Sequence, residues 1–237
     1  MSVKAVLFDL DGTLLPMDQD VFVKAYFKGL ASKLAPHGYD PQKLIEAVWM
    51  GTGAMITNDG SKTNEQAFWN CFCSIFGEKA RDDEPHFEEF YKTDFQNVKS
   101  VCGFEKKAAD VVRKIKAAGV RTVLATNPIF PAIATESRIR WAGLEPCDFE
   151  FYTTYENIGF CKPNPKYYTE ILSRIGLEAK ECVMIGNDVG DDMVAKELGI
   201  QVFLLTDNLI NKEDADISIF PNGGFDDLND YIEKLLI

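Results

Sequence analysis

Short apolar runs rich in β-branched residues alternate along the chain with longer segments in which apolar residues recur every three to four positions. The short runs predict buried strands at Val3–Phe8, Val120–Ala125, Phe149–Thr153, Cys182–Ile185 and Val202–Leu205, and an edge strand at Ile217–Phe220. The longer segments predict helices at Phe104–Ala118, from the N-cap Asn164 to Gly176, at Asp191–Leu198 and at Phe225–Leu236. Because parallel strands need crossover connections, this order predicts an α/β fold with a doubly wound parallel sheet.

One long segment, from about residue 18 to residue 99, shows no convincing strand. Its pattern predicts four helices, at Asp18–Ala35, Pro41–Met50, Asn64–Phe76 and Glu84–Val98. Thr63 and Gln66 form a capping-box pattern at the start of the third helix, and aromatic residues recur within it at helical spacing. We interpret these aromatics as the core of a small helical bundle. The predicted domains are an α/β core of residues 1–16 and 100–237 and an inserted helical cap of residues 17–99.

The composition limits the choice of partners. The 237-residue chain has 25 Lys and Arg against 37 Asp and Glu, a formal charge of −12, which argues against nucleic acid and anionic membranes. No stretch approaches 18 uncharged apolar residues, so no membrane span is predicted. The first residues do not resemble a signal peptide and the six cysteines include no CxxC pair, so we expect reduced thiols in a cytoplasmic protein. With only two histidines, the chemistry is expected to rest on carboxylates.

Polar residues collect where the predicted strands end. They are Asp9 and Asp11 after the first strand, Thr126 and Asn127 after the second, Asp188 after the fourth, and Lys162 before the preceding helix. Ligands bind at the carboxyl ends of parallel strands, so these groups are expected to converge. Taken singly, each has a common structural explanation as a turn, a helix cap or a solvated charge. Together they favour a site for a hard divalent cation, Mg²⁺, because clustered carboxylates otherwise repel one another.

Four segments of the chain carry a family resemblance. They are DLDGTLL (Asp9–Leu15), the threonine at position 126, KPNPKYY (Lys162–Tyr168) and IGNDVGDD (Ile185–Asp192). In order and spacing they resemble the four motifs of the haloacid dehalogenase superfamily, and the helical insert resembles that family's C1-type cap. The resemblance covers essentially the whole chain and implies a Rossmann-like catalytic core.

The resemblance also implies a phosphoryl-transfer mechanism. Asp9 would attack phosphorus to form an aspartyl-phosphate, and Asp11 would protonate the leaving oxygen and then activate water. The phosphoryl oxygens would be held by Thr126, Asn127 and Lys162. The Mg²⁺ ligands would come from Asp9, the backbone carbonyl of Asp11 and an acidic residue of the fourth motif, for which Asp188 and Asp192 are the candidates.

These features favour a phosphatase acting on a small phosphorylated metabolite. Asp11 argues against the halide-releasing branch of the superfamily, whereas a sugar-phosphate mutase with the same motifs stays an alternative. A receiver-like signalling domain would carry its phosphorylated Asp on the third strand, which here ends in Tyr152–Thr154, and would lack an insert of about 80 residues. We expect residues of the insert to determine substrate specificity. The candidate specificity residues are Lys24, Trp49, Met50, Thr52, Asn58 and Lys62.

The fourth motif departs from the family's commonest pattern, in which an Asp directly follows the glycine. That position is Asn187 here, so an ungapped register pairs Asn187 with Asp191, and a one-residue shift pairs Asp188 with Asp192. We favour the shift, because a carboxylate binds Mg²⁺ better than a neutral amide does. Asp191 would then be an acid in the first turn of a helix, where the helix dipole favours it.

Overall fold

A six-stranded sheet lies at the centre of the protein, whose computed structural model describes residues 3–235. In chain order the strands are β1 Ala5–Phe8, β2 Arg121–Leu124, β3 Phe151–Tyr152, β4 Cys182–Gly186, β5 Gln201–Leu205 and β6 Asn222–Gly223. The spatial order is β3-β2-β1-β4-β5-β6, and every neighbouring pair is parallel. The chain therefore winds outward from β1 in both directions, which confirms the predicted doubly wound α/β fold.

The edge strand predicted at Ile217–Phe220 is wrong. Ile217–Ile219 form a 3₁₀ helix, and the Asp216 side chain caps it by accepting a hydrogen bond from the Ser218 N–H. Ile217 and Phe220 pack against the core of the sheet, which explains the strand-like pattern of this segment. The sixth strand follows at Asn222–Gly223, and the other five predicted strands are present at similar positions.

The insert contains the four predicted helices. They are α1 Gln19–Leu34, α2 Pro41–Ile56, α3 Asn64–Phe76 and α4 Glu84–Lys92. Thr63 and Gln66 form the predicted capping box at the start of α3. α4 ends earlier than predicted, because the Thr93 hydroxyl donates a hydrogen bond back to the Glu89 carbonyl and competes with the helical pattern. The chain then continues as a 3₁₀ helix, Asp94–Val101.

Four further helices cover the sheet. They are α5 Lys106–Ala117, α6 Ala132–Trp141, α7 Pro165–Ile175 and α8 Phe225–Leu235. α7 begins after the predicted N-cap, Asn164, and ends at Gly176 in the left-handed conformation. The sequence pattern did not predict α6. Leu236, the predicted last residue of α8, lies outside the described residues. Within residues 3–235, none of the helices is both long enough and apolar enough to cross a lipid bilayer.

The helix predicted at Asp191–Leu198 is wrong in its start and its type, because the structure has a 3₁₀ helix at Met193–Leu198. Asp188 accounts for the later start. Its carboxylate accepts hydrogen bonds from the N–H groups of Gly190 and Asp191, which therefore belong to a tight turn. Gly199 ends the segment after six residues with a φ of +86°.

The sheet buries a different set of apolar side chains on each face. Ala5 and Leu7 pack in the core on the α7 side, whereas Val6 and Phe8 belong to a larger core on the opposite face. That larger core continues into the insert, where it includes the predicted aromatic stripe of α3: Phe68, Trp69 and Phe72, with Phe76 packed against them. The insert is thus held by the same apolar core as one face of the sheet.

The insert leaves and rejoins the core at one place. Met17 forms an antiparallel bridge with Cys102, and the Gly103 N–H donates a 2.7 Å hydrogen bond to the Pro16 carbonyl. The two connecting segments therefore run side by side. They hold the start of α1 beside the carboxyl end of β1.

Candidate active site

The residues predicted at the strand ends all line a single cleft. Its volume is about 190 Å³, and its walls include the seven predicted side chains: Asp9, Asp11, Thr126, Asn127, Lys162, Asp188 and Asp192. Residues at the start of the insert, among them Phe22 and Val23, close one side. Five carboxylates and two lysines line the cleft, so its charge is predominantly negative.

Lys162 connects two of the carboxylates. Its Nζ lies 2.8 Å from Asp9 Oδ1 and 2.6 Å from Asp192 Oδ1, and all three side chains are buried. Burial by itself lowers the pKa of Lys162, but the carboxylates of Asp192 and Asp9 outweigh this effect and raise the pKa well above its ordinary value. The ammonium group therefore stays charged at neutral pH and lies directly beside Asp9.

Asp11 forms an ion pair with Arg138 of α6. The guanidinium is fully buried, and its Cζ lies 4.4 Å from the centroid of the Phe130 ring, in cation–π geometry. Burial raises the pKa of Asp11, and Arg138 opposes that rise. Oδ2 of Asp11 contacts the arginine, whereas the buried Oδ1 has no hydrogen-bond partner within residues 3–235. One carboxylate oxygen is thus anchored, and the other is left to interact with a ligand.

The turn after β1 is built around Gly12 and Asn187. Gly12 has a φ of +88°, and a Cβ at this position would collide with the Asn187 side-chain amide, so only glycine fits. Thr13 Oγ1 lies 2.8 Å from Asn187 Oδ1 and 3.3 Å from Asp9 Oδ2. Asn187 Nδ2 in turn donates a 2.7 Å hydrogen bond to the Asn208 carbonyl. The Asn187 amide therefore ties together the loops that follow β1, β4 and β5.

The two aspartates favoured in the fourth motif differ in how many of their oxygens are engaged. Asp192 Oδ1 accepts a hydrogen bond from Lys162, and its Oδ2 accepts one of 3.0 Å from the Asp188 N–H. Asp188 Oδ1 accepts the two N–H groups of its own turn. Its Oδ2 accepts no hydrogen bond from the part of the chain that the structure describes. Asp188 is therefore the acid of this pair with an oxygen left for a ligand.

The end of β2 carries the two remaining predicted residues. The Thr126 carbonyl accepts hydrogen bonds from Thr153 Oγ1 at 2.6 Å and from the Tyr167 hydroxyl at 2.8 Å. Asn127 Oδ1 accepts a 3.3 Å hydrogen bond from the backbone N–H of Lys162. These contacts hold both residues at the cleft and join their loop to the segment that carries the lysine.

The oxygen donors of the cleft suit Mg²⁺, although they do not form a closed cage. Among residues 3–235, no three His, Cys, Asp or Glu side chains are grouped so as to enclose a metal. Mg²⁺ is commonly held by only one or two carboxylates, with water as the remaining ligands. Asp9 and Asp188 supply such a pair in a cleft with excess negative charge, so the donor set fits this ion.

Three residues of the site are not among those predicted from the sequence: Thr13, Arg138 and Lys212. Thr13 lies within the first motif, where its closeness to Asp9 was a usable signal. Arg138 had no such signal in the sequence. The buried side of its helix, α6, includes Thr135 and Ser137, so the helix has no apolar stripe that would predict it. Lys212, in the loop after β5, lines the cleft without belonging to any motif.

The fold and the cleft define an α/β protein with a cluster of aspartates at the ends of parallel strands. The chain belongs to the haloacid dehalogenase-like hydrolase family, because the model of that family matches residues 3–199. This match includes all of the predicted site residues. It confirms the family resemblance found in the sequence.

Two curated relatives and one solved structure are similar to the chain over nearly its whole length. The chain is 23% identical to the glyceraldehyde 3-phosphate phosphatase of Methanocaldococcus jannaschii, with 98% of both chains covered. It is 24% identical to the phosphoglycolate phosphatase of Colwellia psychrerythraea, covering 98% of this chain and 96% of that one. A 2-haloacid dehalogenase structure from Pseudomonas syringae pv. Tomato DC3000 superposes with a TM-score of 0.63 at 20% identity, covering 98% and 99% of the two chains. The superposition shows a shared fold.

Proposed function

We propose that the protein is a Mg²⁺-dependent phosphomonoesterase that hydrolyses a small phosphorylated metabolite through an aspartyl-phosphate. The observation that carries this proposal is the 2.8 Å contact between Lys162 Nζ and Asp9. It places a phosphate-binding cation against the predicted nucleophile inside a buried cleft, where electrostatic stabilisation is strongest. The phosphatase activities named for the two relatives support the same reaction class.

Asp9 is the group that we assign to covalent catalysis. Its carboxylate lies between Lys162 and the Thr13 hydroxyl, so its orientation is set before a substrate binds. Attack by a carboxylate oxygen forms a bond from Asp9 to phosphorus and breaks the bond from phosphorus to the leaving alcohol oxygen. Lys162, Thr126 and Asn127 would bind the phosphoryl oxygens during this step.

We assign both proton transfers to Asp11. Its Oδ2 is anchored to Arg138, so Oδ1 is the atom that would hold the proton. Burial favours the protonated carboxyl and Arg138 favours the ionised form, so Asp11 is suited to act in both directions. It would protonate the leaving alcohol and then take a proton from the water that hydrolyses the aspartyl-phosphate, which releases inorganic phosphate.

We place Mg²⁺ among Asp9, the backbone carbonyl of Asp11 and Asp188. When bound, the ion would offset the negative charge of the phosphate and of the surrounding carboxylates. Asp192 is also a candidate ligand from the sequence, but Lys162 and the Asp188 N–H engage both of its oxygens. We therefore expect Asp192 to contribute mainly by holding the lysine.

Release of inorganic phosphate from a panel of phosphorylated metabolites tests the proposed function. We expect many turnovers per protein molecule with at least one ester, and loss of that turnover when Mg²⁺ is chelated. Labelling of the protein once, without turnover, would instead indicate a phospho-accepting signalling domain. Conversion of one sugar phosphate into another without phosphate release would indicate a mutase.

Single replacements of the three acids in the fourth motif should separate their roles. We expect Asp188→Asn to weaken Mg²⁺ binding most. Asp192→Asn should have the second largest effect, because Lys162 loses the charged partner that holds it. Asp191→Asn should leave Mg²⁺ binding nearly unchanged. The measurement is a Mg²⁺ titration of each variant, read by activity and by calorimetry. If Asp191→Asn is the most damaging of the three, the register that pairs it with Asn187 is correct.

We also propose that residues 17–99 act as a cap on a core formed by residues 1–16 and 100–237. Phe22 and Val23 of α1 line the cleft, and the paired linkers around Met17 and Cys102 provide a hinge. Closure would exclude water from the reaction. Hydrogen exchange should therefore slow at residues 15–17 and 100–103 when beryllofluoride binds with Mg²⁺. An unchanged rate at both linkers would indicate a fixed bundle.

A cytoplasmic location is part of the same proposal. All six cysteines are free thiols, and three of them are buried: Cys73, Cys161 and Cys182. Free thiols are typical of a reducing compartment. Alkylation and mass spectrometry of protein taken from cells should find six reduced cysteines, and a disulfide would contradict this location.

A further inference from the structure

A second cavity lies directly beside the catalytic cleft. It has a volume of about 90 Å³ and is lined by the helices of the insert and by the segments after β2 and β3. Val23, Ile129 and Phe130 belong to the walls of both cavities, so the two are contiguous. We call the second cavity the aromatic pocket, after six of its lining residues: Tyr26, Phe27, Phe68, Trp69, Phe87 and Tyr155.

The two contiguous cavities differ sharply in chemistry. Nine of the fourteen residues that line the aromatic pocket are aromatic and none is charged, whereas five carboxylates line the catalytic cleft. An apolar, concave lining of this kind binds ligands by removing their apolar surface from water. A ligand that fills both cavities would therefore have an ionic head and an apolar body.

Trp69, one of the residues that line the pocket, carries a buried polar group. Its side chain is 4% exposed, and its buried Nε1 donates no hydrogen bond to any residue from 3 to 235. The indole lies near the Tyr155 hydroxyl, but the two groups do not meet the geometry of a hydrogen bond. A buried donor without a partner is unfavourable. An acceptor on a bound ligand would satisfy it.

The size of the pocket limits its occupant. A dry cavity of roughly 150 Å³ is known to admit benzene, and the aromatic pocket is smaller, at about 90 Å³. It therefore suits a compact group, such as a short alkyl chain, better than a fused ring system. Two of the six specificity candidates from the sequence, Trp49 and Thr52, line this pocket. The other four line neither cavity.

We propose that the substrate is a phosphate monoester whose alcohol is a compact apolar group with one hydrogen-bond acceptor, bound in the aromatic pocket. This inference rests on the proposed phosphatase function and adds the class of its leaving group. The phosphate lies in the carboxylate-lined cleft, the hydrocarbon fills the aromatic pocket past Phe130, and the acceptor faces Trp69 Nε1.

Hydrolysis of a series of n-alkyl phosphates, from methyl to pentyl, tests whether the pocket binds the apolar part of the substrate. Their leaving groups are alkoxides of similar basicity, so differences in kcat/KM report binding of the chain. Each methylene that enters the pocket should raise kcat/KM about fourfold, which follows from the transfer free energy of a CH₂ group. A flat series, with every member hydrolysed, would overturn the inference and leave the phosphatase function standing.

A variant that fills the pocket provides the matched test. Thr52 is half-buried in the pocket wall, so Thr52→Phe should lower the ratio of kcat/KM for pentyl phosphate to that for methyl phosphate by at least about tenfold. Ile56, on the same helix, is 48% exposed and outside both cavities, so Ile56→Phe should keep the wild-type ratio. An unchanged ratio in Thr52→Phe would overturn the assignment of the pocket.

The acceptor is tested with 3-methoxypropyl phosphate, which has the same chain length as pentyl phosphate but carries an ether oxygen. Trp69→Phe keeps an aromatic ring and removes the donor, so it should lower kcat/KM for the ether relative to pentyl phosphate. An equal ratio in wild type and Trp69→Phe would overturn the role of the indole N–H.

Binding of non-hydrolysable phosphonates separates this inference from the proposed function. With Mg²⁺ present, pentylphosphonate should bind the wild-type protein more tightly than methylphosphonate, as measured by calorimetry. If no ester is hydrolysed and this preference is still found, the phosphatase function fails and the pocket assignment holds. Equal binding of the two phosphonates would overturn the pocket assignment, whatever the activity.

Discussion

Replacing Asp9 with asparagine should lower the turnover of any phosphate monoester by roughly a thousandfold or more, because the neutral amide is a poor nucleophile. The side chains have nearly the same shape, so the fold should be retained. Asp9 is 6% exposed, and Lys162 keeps Asp192 as a partner in the variant, which limits the loss of stability. The measurements are single-substrate kinetics and a urea unfolding curve.

A control for this change is Asp226→Asn, which makes the same substitution at a residue whose side chain is 86% exposed and paired with Lys107. We expect its turnover to stay within about twofold of the wild type, since exposed ion pairs contribute little. If Asp9→Asn keeps turnover within about tenfold of the wild type, the covalent role of Asp9 is wrong. The intact mass of the variant should be checked, because deamidation would restore the aspartate.

Replacing Arg138 with methionine should reduce the free energy of unfolding by about 3 to 5 kcal/mol, because the change leaves one partner of a buried ion pair without its counter-charge. Arg138 is fully buried, and its removal also ends the contact with the Phe130 ring. The side chain of Asp11 is 22% exposed toward the cleft, which favours the lower end of that range. Urea unfolding at neutral pH measures the effect.

A second arginine on the same helix, two residues further on, supplies the control. Arg140 is 49% exposed and pairs with Glu136 and Glu145 at the surface, so Arg140→Met should cost no more than about 1 kcal/mol. Adding Asp11→Asn to Arg138→Met should restore part of the lost stability, because it removes the unpaired charge. Equal losses in the two single arginine variants would show that Arg138 and Asp11 are not coupled as the structure indicates.

The strand pattern was predictable because a strand buried on both faces needs a continuous apolar run. Val6 and Phe8 of β1 face one core and Leu7 the other, so each position must be apolar whatever the surroundings. The Ile217–Phe220 segment misled the same reasoning. A 3₁₀ helix partly buries Ile217 and Phe220, and a short apolar run does not distinguish a strand from such a helix.

α6 is the opposite case: the helix is present in the structure but was not predicted from the sequence. Most of its residues are buried, but Thr135, Ser137 and Arg138 are among them, so the helix lacks the apolar stripe that marks an amphipathic segment. The hydrogen-bond and ion-pair partners of these polar groups come from other parts of the fold. Ser137 accepts a hydrogen bond from Gln96 of the insert, and Arg138 pairs with Asp11. No local pattern carries that information.

The sequence was enough to predict that the motif residues meet at the strand ends, because alternation along β1 and the parallel order of the strands bring them to one edge whatever the details of packing. How these residues are paired, and with which residues outside the motifs, depends on the tertiary structure. Lys162 reaches Asp9 across 153 residues of chain, and Arg138 reaches Asp11 across 127. The aromatic pocket likewise combines side chains from the insert and from the segment after β2. Such contacts depend on how whole elements pack, and helical or strand periodicity describes one element at a time.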